Sequence, residues 1–354
     1  MSDKGRILSI QSHVAFGYVG GKAATFPLQC LGFDVDVVNS VQFSNHSGYG
    51  RFGGTKTSAV ELTSIFDTLE LNELLNPSRL LTGYVPNAEA LTAVAEVASK
   101  LKKQKPDIIY MLDPVMGDSG RLYVAPDVVP VYRRLLSLAT IISPNWFEVE
   151  TLTNVPLKDM PSLRRALTIL HTDYKVPNVT ISSIPLQPWL VDAIPSHLRP
   201  TSEGPHLLCI SSSSKFKSES ESDRLSSVHA QCVPLLPGYF SGVGDLFSAM
   251  IVGHFEPSDA SSLPSGKTPL SHAVSCALTK THAVLVATHE YSEKLPLEDR
   301  LPTDDEQDKV EPMRKIKRMK GRELRLIQSM DIITGKAIKD LRHMEPWTGF
   351  WEEL

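Results

Sequence analysis

Cysteine is scarce in this chain. Cys30, Cys209, Cys232 and Cys276 are the four in 354 residues, and no two form a CxxC pair. That excludes a disulfide scaffold and a thiolate metal cluster, and predicts a reducing, cytoplasmic compartment. No apolar run reaches membrane-spanning length, and the N-terminus MSDKGRILSIQSH lacks the apolar stretch of a secretory leader, so no membrane partner is expected. Charge of one sign is not in excess. Lys+Arg number 36 against 40 Asp+Glu, a net charge of −4, which argues against a general nucleic-acid binder. Internal repeats are absent, and so is a P-loop, because Gly54 follows Gly53 where a lysine is required. What is present is the composition of an ordinary soluble protein, 42% hydrophobic and 21% charged. Its length suits one large α/β domain or two smaller ones.

Short β-branched runs alternate with helical patterns. Arg6–Gln11 (RILSIQ) predicts a strand, followed by a glycine-bearing turn and a helix over Gly20–Leu31. Phe33–Asn39 alternates as a strand and Thr57–Leu69 as a helix; Arg79–Tyr84 is strand-like, Asn87–Lys103 a long amphipathic helix and Asp107–Leu112 a buried strand. Thr140–Ser143, Asn178–Ser183 and His206–Ser211 read as further strands. This order implies a largely parallel sheet with helices on both faces, and ligands on such sheets bind beyond the carboxyl ends of the strands. Three stretches read as mobile insertions too poor in apolar residues to pack: the Ser-rich 211–227, the Ser- and Pro-rich 256–269, and 293–321. The basic run Arg314–Arg325 reads as a solvated helix face, with a nuclear-localisation signal, and hence a nuclear presence, as the alternative. Beyond it Leu324, Leu326 and Ile327 return to a core-like pattern.

The strongest chemical signal is Pro237–Met250, PGYFSGVGDLFSAM. Gly242-Val243-Gly244 leads through Asp245 into an apolar-periodic run, the pattern of a tight turn feeding a buried helix. Glycines admit close approach of a ligand, and the free N–H groups of a helix start favour an anion such as phosphate. Asp245 is then either a general base within that turn or a helix cap. Asp113 and Asp118 flank a proline-fixed turn at a strand end (DPVMGD), where they either hold a hydrated divalent cation or are solvated acids. Asn145 and Glu148 repeat the device in SPNWFE, where Glu148 either reaches metal-bound water or is a favourable acid in a first helical turn. Gly48–Gly53 (GYGRFG) formally matches GxGxxG without a strand leading in or a helix leading out, so Gln42–Gly54 is read as a flap or an ordinary glycine-rich loop, and a dinucleotide site only weakly.

Taken together, QSHV, VNSVQFSNHSGYG, LTGY, DPVMGD, SPNWFE and GVGDLF resemble the pyridoxal kinases of the ribokinase-like superfamily. The resemblance spans most of Arg6–Phe255 and resumes at Glu323–Ser329. It implies one domain over residues 1–354 with a small substrate flap, ATP-dependent phosphorylation of the 5′-hydroxymethyl group of pyridoxal, pyridoxine and pyridoxamine, and a homodimer. Asp245 would be the base, with the Gly242, Val243 and Gly244 amides as anion hole. Ser12 would meet the ring nitrogen and Ser47 the ring hydroxyl, with Phe43, Tyr84, Val19 and Val41 packing the ring. Asp113, Asp118, Asn145 and Glu148 would serve ATP and Mg²⁺, with Ser182, Ser183 and Val243 near the nucleotide. Ser143 and Ser182 would sit by a monovalent cation, K⁺ or Na⁺. Val243 departs from the Thr common in the family's GTGD turn, which removes a hydroxyl but no backbone N–H. A hydroxymethylpyrimidine kinase on the same fold and a non-catalytic B6-vitamer carrier are the alternatives.

Overall fold

The computed structural model describes residues 4–118, 120–200, 202–214, 224–258 and 262–352. Its strands are β1 (Arg6–Val14), β2 (Asp34–Phe43), β3 (Gly54–Lys56), β4 (Arg79–Thr82), β5 (Ile109–Leu112) and β6 (Gly117–Asp118), then β7 (Arg121–Leu122), β8 (Ile141–Ile142), β9 (Asn178–Pro185), β10 (His206–Ser213), β11 (Ser227–Pro234) and β12 (Glu345–Pro346). The helices between them are α1 (Gly21–Cys30), α2 (Ala59–Leu71), α3 (Ala88–Gln104), α4 (Val128–Leu136), α5 (Trp146–Thr153) and α6 (Met160–Thr168). They continue as α7 (Pro188–Ala193), α8 (Val243–His254), α9 (Pro269–Glu293), α10 (Asp305–Val310), α11 (Pro312–Gly321) and α12 (Met330–Thr334).

Strand periodicity sets the layers. Ile7, Leu81, Met111 and Ile141 face one apolar cluster with α1, α8 and α9, while their neighbours Leu8, Leu80, Leu112 and Ile142 face another with α2 to α6. Successive side chains of a strand point to opposite faces, so strands covered on both faces become apolar runs. The sheet order is β12-β11-β10-β9-β8-β5-β4-β1-β2-β3. Pairing is parallel from β9 through β8, β5, β4 and β1 to β2. It is antiparallel at β2/β3 and from β9 to β12. The mostly parallel α/β sheet with helices on both faces expected from the sequence is therefore found, with an antiparallel margin that the alternation of strands and helices did not signal.

Local chemistry fixes the helix starts that matter for the site. Asn87 caps α3 by accepting the Ala90 N–H at 2.9 Å, and Lys102 and Lys103 fall in its last turn, where they complement the helix dipole. Asn145 and Glu148 form a reciprocal capping box at α5. At β1/β2 the register slips between Gln11 and Ser12, after which Ser12, His13 and Val14 pair with Val41, Gln42 and Phe43, so the bulge re-aims the end of β1 within the ladder.

The three stretches read as mobile insertions are more structured than their composition implies. Ser211–Ser213 complete β10, Ser227 opens β11, and these residues are buried together with Ser226. Ser212 Oγ lies 2.8 Å from His171 Nε2 and 2.7 Å from Ser226 Oγ, and Ser213 Oγ donates to Asn178 Oδ1 at 2.8 Å, so these serines pack because their hydroxyls find partners distant in sequence. Residues 215–223 lie outside the described residues. In 256–269, Thr268 is buried and builds a capping box with Ser271 at the start of α9; 259–261 are likewise outside. The stretch 293–321 carries α10 and α11 rather than loop. Asp308 and Arg318 pair there in the interior and Met319 is buried, an ion pair standing where the sequence offered few apolar contacts. Leu324 and Leu326 rejoin the core as expected, whereas Ile327 faces outward, 49% exposed.

Candidate active site

The ends of β1, β2, β5, β8 and β9 and the start of α8 open onto one cavity of about 660 Å³. The sheet order spreads its walls. Ser12, Val19, Phe43, Ser47 and Tyr84 line the half beside β1 and β2. Asp113, Asp118, Ser143, Asn145 and Glu148 line the middle, and Ser182 and Ser183 the half beside β9. Gly242, Val243, Gly244 and Asp245 close it from α8. Val41 does not line it. It shares a strand face with Phe43 but lies two residues deeper in β2, fully buried. The ring contact expected of Val41 is therefore corrected to a place behind the wall.

The turn into α8 is built by one residue that only glycine suits. Gly242 has φ 79°, and a Cβ there would stand 2.0 Å from the Tyr18 carbonyl oxygen. The first intrahelical bond runs from Leu246 N–H to Gly242 O at 3.0 Å. The Val243, Gly244 and Asp245 amides ahead of it consequently have no acceptor within the helix. Gly244 has no atom within 4 Å of its would-be Cβ, so the space beside it is open. Asp245 does not cap its helix. Its Oδ2 accepts the Gly20 N–H at 2.8 Å, and burial raises its pKa above the usual carboxylate range while that hydrogen bond opposes the rise.

Two further carboxylates are buried in the middle of the cavity. Asp113 Oδ2 accepts the Ser248 hydroxyl at 2.8 Å, and burial, then the charge of Asp245, pushes its pKa up to about 8. Glu148 is raised well above the ordinary value by burial and by Asp113, although it accepts the N–H groups of Met116 and Asn145, each at 2.9 Å. Asn145 Nδ2 donates to Gly117 O at 2.8 Å and so ties α5 to the β6–β7 hairpin that carries Asp118. Among the described lining residues Lys56 is the one Lys or Arg side chain. Acids held in this way suit a hard cation with oxygen ligands. No cluster of three or more His, Cys, Asp or Glu side chains arranged for direct metal binding occurs among the described residues, so this donor set fits an ion that completes its shell with phosphate and water. Ser143 Oγ is buried without a hydrogen-bond partner, an oxygen free to serve as a ligand.

Sequence reasoning missed several wall residues. His46 and Phe52 come from the flap, Tyr123 from just beyond the β6–β7 hairpin, Tyr239 from the loop before Gly242, and His282 from α9. The first four lie within or beside motifs already singled out, whereas a histidine in a 25-residue helix carries no local signal. Gly48–Gly53 runs between the antiparallel strands β2 and β3, without the strand–turn–helix context of a dinucleotide fingerprint. That reading is excluded.

Comparison with known proteins gives a consistent picture. A family model described as phosphomethylpyrimidine kinase matches residues 34–192. A pyridoxal kinase of Arabidopsis thaliana is 41% identical over 253 residues, 71% of this chain and 74% of that protein. A pyridoxal kinase of Homo sapiens is 36% identical over 266 residues, 73% and 80% of the two chains. The solved structure of pyridoxal kinase from Leishmania donovani in complex with ADP and pyridoxamine superposes with a TM-score of 0.74 at 32% identity, covering 96% of this chain and 99% of that one.

Proposed function

The chain belongs to the pyridoxal kinase family, and from that premise we propose how its own residues carry out the ATP-dependent phosphorylation of B6 vitamers. The γ-phosphoryl group of ATP passes to the 5′-hydroxymethyl oxygen of pyridoxal, pyridoxine or pyridoxamine. The new P–O bond forms as the bond from the γ-phosphorus to the bridging oxygen of ADP breaks. The observation that carries this reading is the placement of Asp245 and three helix-start amides on the wall that faces both halves of one cavity.

In this mechanism Asp245 takes the proton of the hydroxymethyl group as it attacks. The Gly20 N–H holds the carboxylate in one orientation, and its raised pKa makes it a better acceptor than an exposed aspartate. The Val243 and Gly244 amides and the positive end of α8 face the charge that develops on the phosphoryl oxygens. Phe43 and Tyr84 stack or edge the pyridine ring, Val19 packs beside it, and Ser12 and Ser47 meet its polar atoms. Asp113, Asp118 and Glu148 would hold Mg²⁺, partly through water, and that ion would neutralise the phosphates in an otherwise acidic cavity. Asn145, Ser182, Ser183 and Val243 would attend the nucleotide, and Ser143 and Ser182 would hold a monovalent cation. Positioning and charge stabilisation supply most of the rate, as is general for phosphoryl transfer. We place the reaction in a single domain, in a homodimer, in the cytoplasm; no helix among the described residues is long and apolar enough to cross a membrane.

The family model over residues 34–192, described as phosphomethylpyrimidine kinase, keeps one second reading in view, that of a pyrimidine kinase such as a hydroxymethylpyrimidine kinase. A kinase assay across pyridoxal, pyridoxine, pyridoxamine and hydroxymethylpyrimidine decides between them. Turnover of the three pyridines well above the pyrimidine is expected. Preference for the pyrimidine, or vitamer binding without any transfer, would overturn the reading.

A further inference from the structure

Glu323 does not line the cavity, yet it ties together two segments that wall it. It follows α11, with Leu324 anchored in the core immediately after it. Its side chain is 11% exposed and collects three donors from two distant segments. The Tyr18 N–H donates to Oε2 at 2.8 Å, while the Tyr49 hydroxyl and His46 Nε2 reach Oε1 at 2.7 and 3.2 Å. Burial opposes ionisation of this carboxyl, but the hydrogen bonds from His46, Tyr49 and the Tyr18 N–H prevail and hold its pKa below the usual range.

The histidine tautomer follows from its partners. His46 Nδ1 accepts the Gly48 N–H at 3.1 Å, so the ring proton resides on Nε2 and is donated to Glu323. The same Nδ1 lies 3.3 Å from the hydroxyl of Ser241, the residue before Gly242. On the other side, the Tyr18 carbonyl abuts Gly242, and two residues on the Gly20 N–H holds Asp245. Gly17 permits this convergence, since a Cβ there would stand 2.5 Å from Glu323 Oε1. Ser47, which we assign to the ring hydroxyl, sits between His46 and Gly48 and moves only if they do.

We propose that Glu323 is a positioning residue that locks the flap of residues 44–53 onto the vitamin half of the cavity, setting the place of Ser47 in register with the turn that carries Asp245. The proposal rests on the kinase reading above for its substrate, but the latch itself does not need turnover to be seen. It acts from a segment that the β-strand framework does not supply, so it controls affinity for the vitamin without touching it.

The test uses the full chain with Glu323→Gln, Tyr49→Phe and the double variant, in steady-state kinetics and in hydrogen exchange without ligand. Losing the charge on a multiply hydrogen-bonded carboxylate should raise the pyridoxal KM roughly tenfold in Glu323→Gln, as expected when one charge-assisted bond is weakened. The ATP KM should stay within about twofold, since Glu323 hydrogen-bonds no residue that we assign to the nucleotide and reaches the Gly242 turn only through Tyr18 and His46. Tyr49→Phe should have a smaller effect that largely disappears in the Glu323→Gln background, which general destabilisation would not produce. The Gly48 and Tyr18 amides should exchange faster in Glu323→Gln than in the wild type. An unchanged pyridoxal KM, equal rises in both KM values, additive effects of the two substitutions, or unaltered exchange at these amides would each overturn the latch. If the wild type failed to phosphorylate pyridoxal, the kinase reading would fall, and hydrogen exchange would still decide whether Glu323 holds the flap.

Discussion

The two glycines of the turn that we assign to phosphate should respond to the same substitution in opposite ways. Gly242→Ala places a methyl group 2.0 Å from the Tyr18 oxygen at φ 79°, where a Cβ contact is untenable and the left-handed conformation alone costs about 1–2 kcal/mol. Something must shift, and both Tyr18 and the start of α8 belong to the site. The variant should lose at least about 2 kcal/mol of stability, from strain and overpacking together, and its turnover should fall with it. Gly244→Ala meets no protein atom within 4 Å and occupies the second position of α8. Replacing a helical glycine by alanine there should leave stability unchanged or raise it by up to about 1 kcal/mol. Its methyl group projects beside the amides that we assign to the transferring phosphate, so kcat/KM for ATP should fall by roughly tenfold or more, about 1.4 kcal/mol in transition-state binding. Urea unfolding and steady-state kinetics on both variants check this. A Gly244→Ala protein that is as active as the wild type would refute the placement of phosphate at this turn. A Gly242→Ala protein of undiminished stability would refute the reason given for the glycine.

Other outcomes follow from the buried acids and the serine-rich strands. The folded-state pKa of Asp113 lies above its unfolded value of about 3.9, so the stability it contributes is complete below about pH 4 and is lost as the pH rises through the raised value. Ligand-free Asp113→Asn should therefore melt on the order of a few degrees above the wild type near pH 9 and no higher near pH 4, while losing activity. Equal melting curves at both pH values would show that Asp113 is not a strained carboxylate. Replacing residues 211–227 by a Gly/Ser linker should abolish soluble protein, because it removes strand residues paired as Ser211↔His229 and Ser213↔Ser227 and breaks the contact of Ser212 with His171. Recovery of a folded, active protein would show that this hairpin end is dispensable.

Most of the framework was legible because its strands are apolar and regularly spaced. RILSIQ, DIIYML and NVTIS declare themselves by β-branched content and by the helical patterns between them. The turn at Gly242–Asp245 and the strand-end acids were legible for a different reason, since glycine and carboxylate have few uses in that order at the mouth of a parallel sheet. What escaped has a physical cause in each case. Ser211–Ser213 and Ser226–Ser227 are polar strand ends whose burial depends on partners distant in sequence, which composition cannot reveal. α10 and α11 are held by the internal pairing of Asp308 with Arg318, and charges at that spacing resemble a solvated run. Val41 is a β-branched residue on the correct face of the correct strand, yet depth along β2 separates wall from core, and depth follows from register with β1 and β3. Glu323 could be found in sequence only as part of a familiar segment, because its role lies in what it joins.

The most direct test of the mechanism is single-turnover phosphorylation of pyridoxal by Asp245→Asn, measured beside its nucleotide affinity. Asparagine preserves the size of the side chain and an oxygen for the Gly20 N–H, but it cannot take the hydroxymethyl proton. The rate should fall by about 10²–10⁴, the usual worth of a positioned general base, with ATP affinity retained by the backbone amides. A near-normal rate with the proton acceptor removed would contradict the assignment of Asp245 as the base.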